Sequence, residues 1–308
     1  MKTHPLIKMF VTACFMLPLL LSAADRSKRV VAFAQDTMNN DFRIAQVYEV
    51  RDALSEYPDI DFVFSDARGQ TSLMIRQIEQ FIARKVDLLV IGTNDENAVV
   101  PVVSKAYKSG IPVIILDRGI SGSDYTTFIN SDNIKIGAIG AEYIAKELKG
   151  KGTVLLFEGL QKADVTQLRS KGFLDEIAKS PGIKVIKRTG NYLRKDAIAE
   201  MEKLLSEGIR VDAIFSESDS MVSGARMVLE RHGIDPGSMI MIGCDYTSEA
   251  QMAIRAGKQT GSVLFPLGGK QAVQTALQIF EGKKVPKHII IPVQLVTKAN
   301  VEKVPPIF

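Results

Sequence analysis

Short apolar runs rich in Val, Ile and Phe alternate along this chain with longer amphipathic stretches, and that alternation limits the possible folds more than any single residue does. The apolar runs fall at 30–35, 60–65, 86–92 and 113–116, and a second series lies at 153–157, 184–187, 213–216 and 239–243. Between them lie helical patterns over 43–56, 72–83, 134–148, 165–178, 195–206 and 221–230. Strands that alternate with helices build βαβ units and a mainly parallel sheet buried on both faces. The two series agree in order and length. The sequence therefore predicts an α/β chain of two similar doubly wound lobes, and its 308 residues, 46% of them hydrophobic, are enough for both.

The first 24 residues stand apart. Lys2 and Lys8 precede an apolar run over 9–21, and Ser22-Ala23-Ala24 offers small residues for cleavage. This predicts a cleavable secretory signal peptide, since the run is too short to span a bilayer as a helix. Of 39 Lys and Arg against 35 Asp and Glu, only those two lysines lie in the segment, so the remainder has a formal charge of +2. A surplus that small gives no support for nucleic-acid binding. Cys14 lies in the apolar run, leaving Cys244 as the one cysteine of the remainder. An export signal without an internal disulfide fits a bacterial periplasm, with Cys244 a buried thiol.

Polar and ionisable residues gather at the strand ends. The run Ile111-Pro112-Val113-Ile114-Ile115-Leu116 ends in Asp117-Arg118, a carboxylate beside a guanidinium. Ligands of open α/β sheets bind beyond the carboxyl ends of the strands. Asp36 to Phe42, Ser65-Asp66-Ala67-Arg68, Asn94-Asp95, Glu158, Asn191-Tyr192, Ser216 to Asp219 and Cys244-Asp245-Tyr246 occupy the same kind of position. Some of these are expected to cap helices, Asn94, Asp132 and Asp219 among them. The remainder exceeds what caps require. No Gly-x-Gly-x-x-Gly comes after a strand, and neither a Walker-type loop nor a Gly-x-Ser-x-Gly elbow occurs. His232 and His288 have no spacing suited to a metal site or triad, so both are expected at the surface. The expectation is a binding protein, not an enzyme, with no cofactor and no metal.

Taken together, Asn39-Asn40-Asp41-Phe42, Asp117-Arg118, Ser131-Asp132-Asn133, Arg169-Ser170-Lys171-Gly172-Phe173 and Gly243-Cys244-Asp245 resemble the periplasmic sugar-binding proteins of the ribose and galactose type. The similarity runs from Val30 to Val296. Repressors similar to the lactose repressor share the fold, but carry a helix-turn-helix segment before the first strand, where this chain has the apolar run. The resemblance implies the type I periplasmic-binding-protein fold, with the lobes joined by a three-segment hinge near 129–132, 264–267 and 291–294. One lobe is then 26–130 plus 266–291, the other 131–265 plus 292–308. A final strand over 288–296 is expected to run across both.

The same resemblance implies ligand capture in the cleft by hinge closure, with binding roles for Asn40, Phe42, Asp117, Arg118, Tyr192 and Asp245. Carboxylates accept two hydroxyl hydrogen bonds at once and a guanidinium donates in a planar fork. Asp117 and Asp245 would grip hydroxyls from opposite lobes, with Phe42 and Tyr192 sandwiching the ligand. At five further positions of the expected site this chain departs from the family pattern: Asp36, Arg43, Gln167, Ser218 and Phe265. Gln167 stands where a binding arginine is expected, so the second lobe has lost donors while Asp36 and Arg43 add charge to the first. The ligand implied is a small sugar or polyol, or a molecule with an amino or other polar substituent near Asp36. Two partners fit a monomeric periplasmic receptor of this kind. One is the permease of an ABC importer; the other is a sensor histidine kinase or chemoreceptor, whose ligand could resemble autoinducer-2.

Overall fold

The computed structural model describes residues 28–308. The expected signal peptide at 1–24 lies outside the described residues. The strands are β1 (Arg29–Gln35), β2 (Ile60–Asp66), β3 (Leu88–Gly92), β4 (Val113–Leu116), β5 (Thr127–Ser131), β6 (Lys151–Glu158), β7 (Gly182–Thr189), β8 (Ala213–Ser216), β9 (Ile240–Asp245), β10 (Gly261–Leu264), β11 (His288–Ile291) and β12 (Gln294–Thr297). The helices are α1 (Asp41–Leu54), α2 (Thr71–Ala83), α3 (Val100–Lys108), α4 (Asn133–Glu147), α5 (Asp164–Ile177), α6 (Arg194–Ser206), α7 (Asp219–Arg231), α8 (Ser248–Arg255) and α9 (Gly269–Phe280).

Two six-stranded sheets form, in the orders β11-β5-β4-β3-β1-β2 and β12-β10-β9-β8-β6-β7. The orders are the same repeat: each half begins on an inner strand, adds the next on one side and then crosses to the other. β1 pairs in parallel with both β2 and β3, and β6 with both β7 and β8. These are the switch points at which open sheets place their ligands. All pairings are parallel except β10 with β12. The chain passes between the sheets after β5, after β10 and between β11 and β12. The stretch expected as one long strand over 288–296 is thus two short ones, broken at Pro292, in different sheets.

The expected α/β architecture of two similar lobes is observed. Five elements go beyond the expectation: the strands β5 and β10, and the helices α3, α8 and α9. Each sheet is covered by helices on both faces, and the strand residues of β3, β4 and β8 are buried throughout. Cys244 is a buried free thiol, as expected. His232 and His288 are at the surface, paired with Glu202 and Asn130 at 2.7 Å.

Close helix packing fixes one feature of the site. A Cβ at Gly137 of α4 would lie 2.0 Å from the Arg169 carbonyl of α5, and one at Gly172 of α5 would lie 2.0 Å from the Ile134 carbonyl. Only glycine at both points lets these backbones touch, which seats Arg169 deep between the sheets. Of the expected caps, Asp132 accepts from the Lys135 N–H at the start of α4. Asp219 does not cap; Ser218 caps α7, because its hydroxyl precedes the first helical turn. Nor does Asn94: the neighbouring Asp95 accepts from the N–H groups of Asn97 and Ala98 instead.

Candidate functional site

Between the carboxyl edges of the two sheets lies a narrow cavity of about 30 Å³. Its walls are Asn40, Phe42, Arg43, Asp117 and Arg118 from one half and Val165, Arg169, Tyr192, Ser218, Ser220 and Asp245 from the other, with Phe265 at a crossing.

The first wall is built on ion pairs. Asn40 caps α1, its side-chain oxygen accepting from the Arg43 N–H at 2.9 Å. The cap starts the helix one turn before Gln46, so Arg43 points inward, only 2% exposed. Its guanidinium pairs with Asp117 at 2.7 Å and donates to Gln46 Oε1 at 3.0 Å. Arg118 pairs with Asp36 at 3.2 Å. Asp36 also lies 3.9 Å from Arg43, and burial pushes its carboxyl above the ordinary range against the pull of both guanidiniums. Asp36 is not part of the cavity wall: it sits behind Arg43 and Arg118 and holds them in place. Arg118 holds one oxygen of that carboxylate, and the other, Asp36 Oδ1, has no hydrogen-bond partner among the described residues.

Two buried polar atoms of the wall have no protein partner, Asp117 Oδ1 and Arg118 Nε. Buried polar groups are almost always hydrogen-bonded, so an acceptor and a donor left over at one cavity wall point to a ligand. The wall can offer a carboxylate oxygen and a guanidinium N–H to adjacent hydroxyls.

The second wall starts from Arg169, which donates to Asn133 Oδ1 at 2.8 Å and to the Glu217 carbonyl at 2.7 Å. Its guanidinium lies over the Phe265 ring, 4.3 Å from the centroid. Phe265 in turn stacks on Phe42 at 5.3 Å and 15°. Asp245 completes this side with a fully buried carboxyl, which desolvation holds well above the usual range in spite of Arg169. Behind it, Asp219 accepts from the Tyr246 N–H and from the Ser262 hydroxyl at 2.7 Å each, pinning the turn that presents Asp245.

Tyr192 shares a 2.7 Å hydrogen bond with Thr166 and lies under the Arg118 guanidinium at 5.5 Å. A Cβ at Gly159 would lie 2.0 Å from this ring, so glycine there makes room for it. Phe42 and Tyr192 both line the cavity, Phe42 stacked on Phe265 and Tyr192 under Arg118.

Gln167 does not reach the cavity and is corrected. It is exposed on the outer face of α5, near the Gln161 carbonyl at 3.4 Å. Val165 and Arg169, four residues apart, share the inner face of that helix, and position 167 lies between them on the far side. The second half thus keeps its buried arginine, in Arg169. The remaining expected residues, Asn40, Phe42, Arg43, Asp117, Arg118, Tyr192, Ser218, Asp245 and Phe265, are brought together at the cavity.

Three cavity residues also share a backbone feature. Asp117, Tyr192 and Asp245 have φ of +70°, +63° and +107°, in the region that side chains disfavour. Each costs on the order of 1–3 kcal/mol, and each lies at or within three residues of a strand's carboxyl end with its side chain lining the cavity. Among the described residues no cluster of His, Cys, Asp or Glu suits a metal ion, and no helix is long and apolar enough to cross a membrane.

Comparisons with known proteins agree with this geometry. The model of the periplasmic binding protein domain matches residues 31–284. The ribose import binding protein of Bacillus subtilis is 29% identical over 280 residues, which are 90% of each chain. A solved ABC transporter solute-binding protein from Bacillus halodurans, with bound myo-inositol, superposes with a TM-score of 0.85 at 29% identity, covering 91% of this chain and 98% of that one. The fructose-binding periplasmic domain of a hybrid two-component system gives a TM-score of 0.82 at 28% identity, covering 89% and 92%. Two repeated doubly wound sheets with a polar cavity between their carboxyl edges, and a family match across most of the length, agree: the chain belongs to the periplasmic binding protein family.

Proposed function

We propose that the chain captures a small neutral sugar or polyol between its halves by hinge closure and delivers it to the permease of an ABC importer. The observation that carries this is the pairing of Asp117 from one half with Asp245 from the other across one cavity, beside Arg118, Arg169 and stacked aromatic rings. Hydroxyl groups both donate and accept, so one polyhydroxylated molecule answers both carboxylates and both guanidiniums. The arginines are already paired or hydrogen-bonded within the protein, which argues against an anionic ligand. The ligands named for the similar proteins, ribose, fructose and myo-inositol, are of this class.

The two sheets support lobes of 26–130 plus 266–291 and 131–265 plus 292–308, with the three crossings as the hinge. Hinges of this kind close around ligands as rigid bodies. Such a receptor works as a monomer in the periplasm, after removal of the segment 1–24. A second reading is a sensory receptor for a membrane histidine kinase, favoured by the similarity to the periplasmic domain of a two-component system.

A thermal-shift screen with pentoses, hexoses and polyols tests the proposal. A ligand at about 100 times its Kd adds about 2.7 kcal/mol, which moves Tm by several degrees for a chain of this size. A single class of sugars that raises Tm supports capture; a flat response across the panel removes the sugar reading. Uptake of that sugar by a strain lacking the gene separates import from sensing.

A further inference from the structure

Away from the three crossings, one hydrogen bond among the described residues joins the two halves. The Gly119 backbone N–H, in the loop after β4, donates to Asp164 Oδ2 at 2.9 Å. Asp164 opens α5 in the other half, where its carboxylate also accepts from the Val165 N–H. The same carboxylate reaches across the cleft. A Cβ at Gly119 would lie 3.1 Å from that oxygen and 3.5 Å from the Phe128 ring, so glycine allows the close approach. Burial raises the Asp164 carboxyl above its ordinary range, with Asp117 and Arg118 facing it from the opposite half. Neither Gly119 nor Asp164 is part of the cavity wall.

We propose that Asp164 is a closure latch: its bond to the Gly119 N–H forms when the halves meet and slows ligand release without touching the ligand. The proposal rests on the capture reading above, because a latch matters only if the halves part. Its chemistry is local. An ionised acceptor on a backbone N–H is among the stronger hydrogen bonds. Opening must break it, so it favours the closed state by differential contact, as any shift in a two-state equilibrium requires.

The test compares wild type, Asp164→Ala and Asp164→Asn, the last keeping an acceptor oxygen. The probes are D-ribose, D-fructose and myo-inositol. For a sugar that binds, Asp164→Ala raises the dissociation rate about tenfold with little change in association, whereas Asp164→Asn stays within about threefold of wild type. With sugar bound, the Gly119 amide exchanges with solvent deuterium faster in Asp164→Ala than in wild type, and equal exchange in the two overturns the latch. No binding of any probe by wild type overturns the capture reading on which the latch rests. Equal release rates in Asp164→Ala and wild type overturn it directly.

Discussion

Arg43 and Asp117 meet at 2.7 Å with both side chains at least 96% buried, Arg43 from the first turn of α1 and Asp117 from the end of β4. Asp36 and Arg118 extend the pair into an alternating run of four charges. Removing one member leaves another buried without compensation, and breaking such a pair costs about 3–5 kcal/mol. Arg43→Met should lower unfolding stability by that amount in urea titration. A loss below about 1 kcal/mol would show that the acids relax to water or take up protons.

Asp117 also holds a free acceptor toward the cavity. Asp117→Ala should weaken sugar binding by about 2–5 kcal/mol, as losing one member of a buried charged network does. Isothermal titration of the variant against the sugar identified by thermal shift measures this. Affinity equal to wild type would move the ligand away from this wall.

Gln167 serves as the control. It lies outside the cavity, so Gln167→Ala should leave affinity within experimental error, whereas Arg169→Ala should abolish measurable binding in the same titration. Equal losses in both would mean that α5 presents a different face to the cavity.

Gly159→Ala places a methyl group where the Tyr192 ring lies, 2.0 Å from its nearest atom. The ring must leave its site, taking with it the contact to Arg118. The expected result is a loss of sugar affinity of at least tenfold while the variant stays folded by circular dichroism.

Glu158 and Glu217 both contact the Ser170 hydroxyl, at 3.0 and 2.7 Å. One hydroxyl proton cannot serve two carboxylates, so one acid must carry a proton of its own. Lys187 pairs with Glu158 at 2.7 Å. Burial, only partly offset by the Gly159 N–H, Ser170 and Arg169, raises Glu217 from 4.5 to about 7. Asp219 rises from 3.8 to about 6, again through burial. For both acids the folded state holds its proton more tightly than the unfolded state. The stability they contribute is complete below their ordinary pKa values and is lost as pH climbs toward 6 and 7. Tm should therefore fall between about pH 4.5 and 7.5, and Glu217→Gln, which donates in place of the proton, should flatten the upper part of that fall. A Tm that rises over the same interval in wild type would reverse the assignment.

Most of the architecture is legible in the sequence because buried parallel strands of four or more branched residues, such as Ile114, Ile115 and Val90, stand out against amphipathic helices. The unexpected elements lack that contrast. β10 is Gly-Ser-Val-Leu, too short and mixed to show a period, and α3 opens on Val100-Pro101-Val102-Val103, which looks like strand rather than helix. In the site, Asp117 and Asp245 are visible as carboxylates at strand ends. That Asp36 lies between two arginines is not, because it depends on the first turn of α1 and the loop after β4 converging from distant parts of the chain. The positive φ at Asp117, Tyr192 and Asp245 likewise has no mark in composition. Arg169 stands in plain view within its motif, but a shift of two residues along a helix exchanges its inner and outer faces, and that shift separates Gln167 from the true position.

β11 and β12 are separated by Pro292 and Val293 alone, yet each is the edge strand of a different sheet. During synthesis neither half can be finished ahead of the other. Each stays one strand short until residues 288–297 leave the ribosome, when both are completed almost together. A nascent chain of this design delays its final compact form until nearly the end of translation.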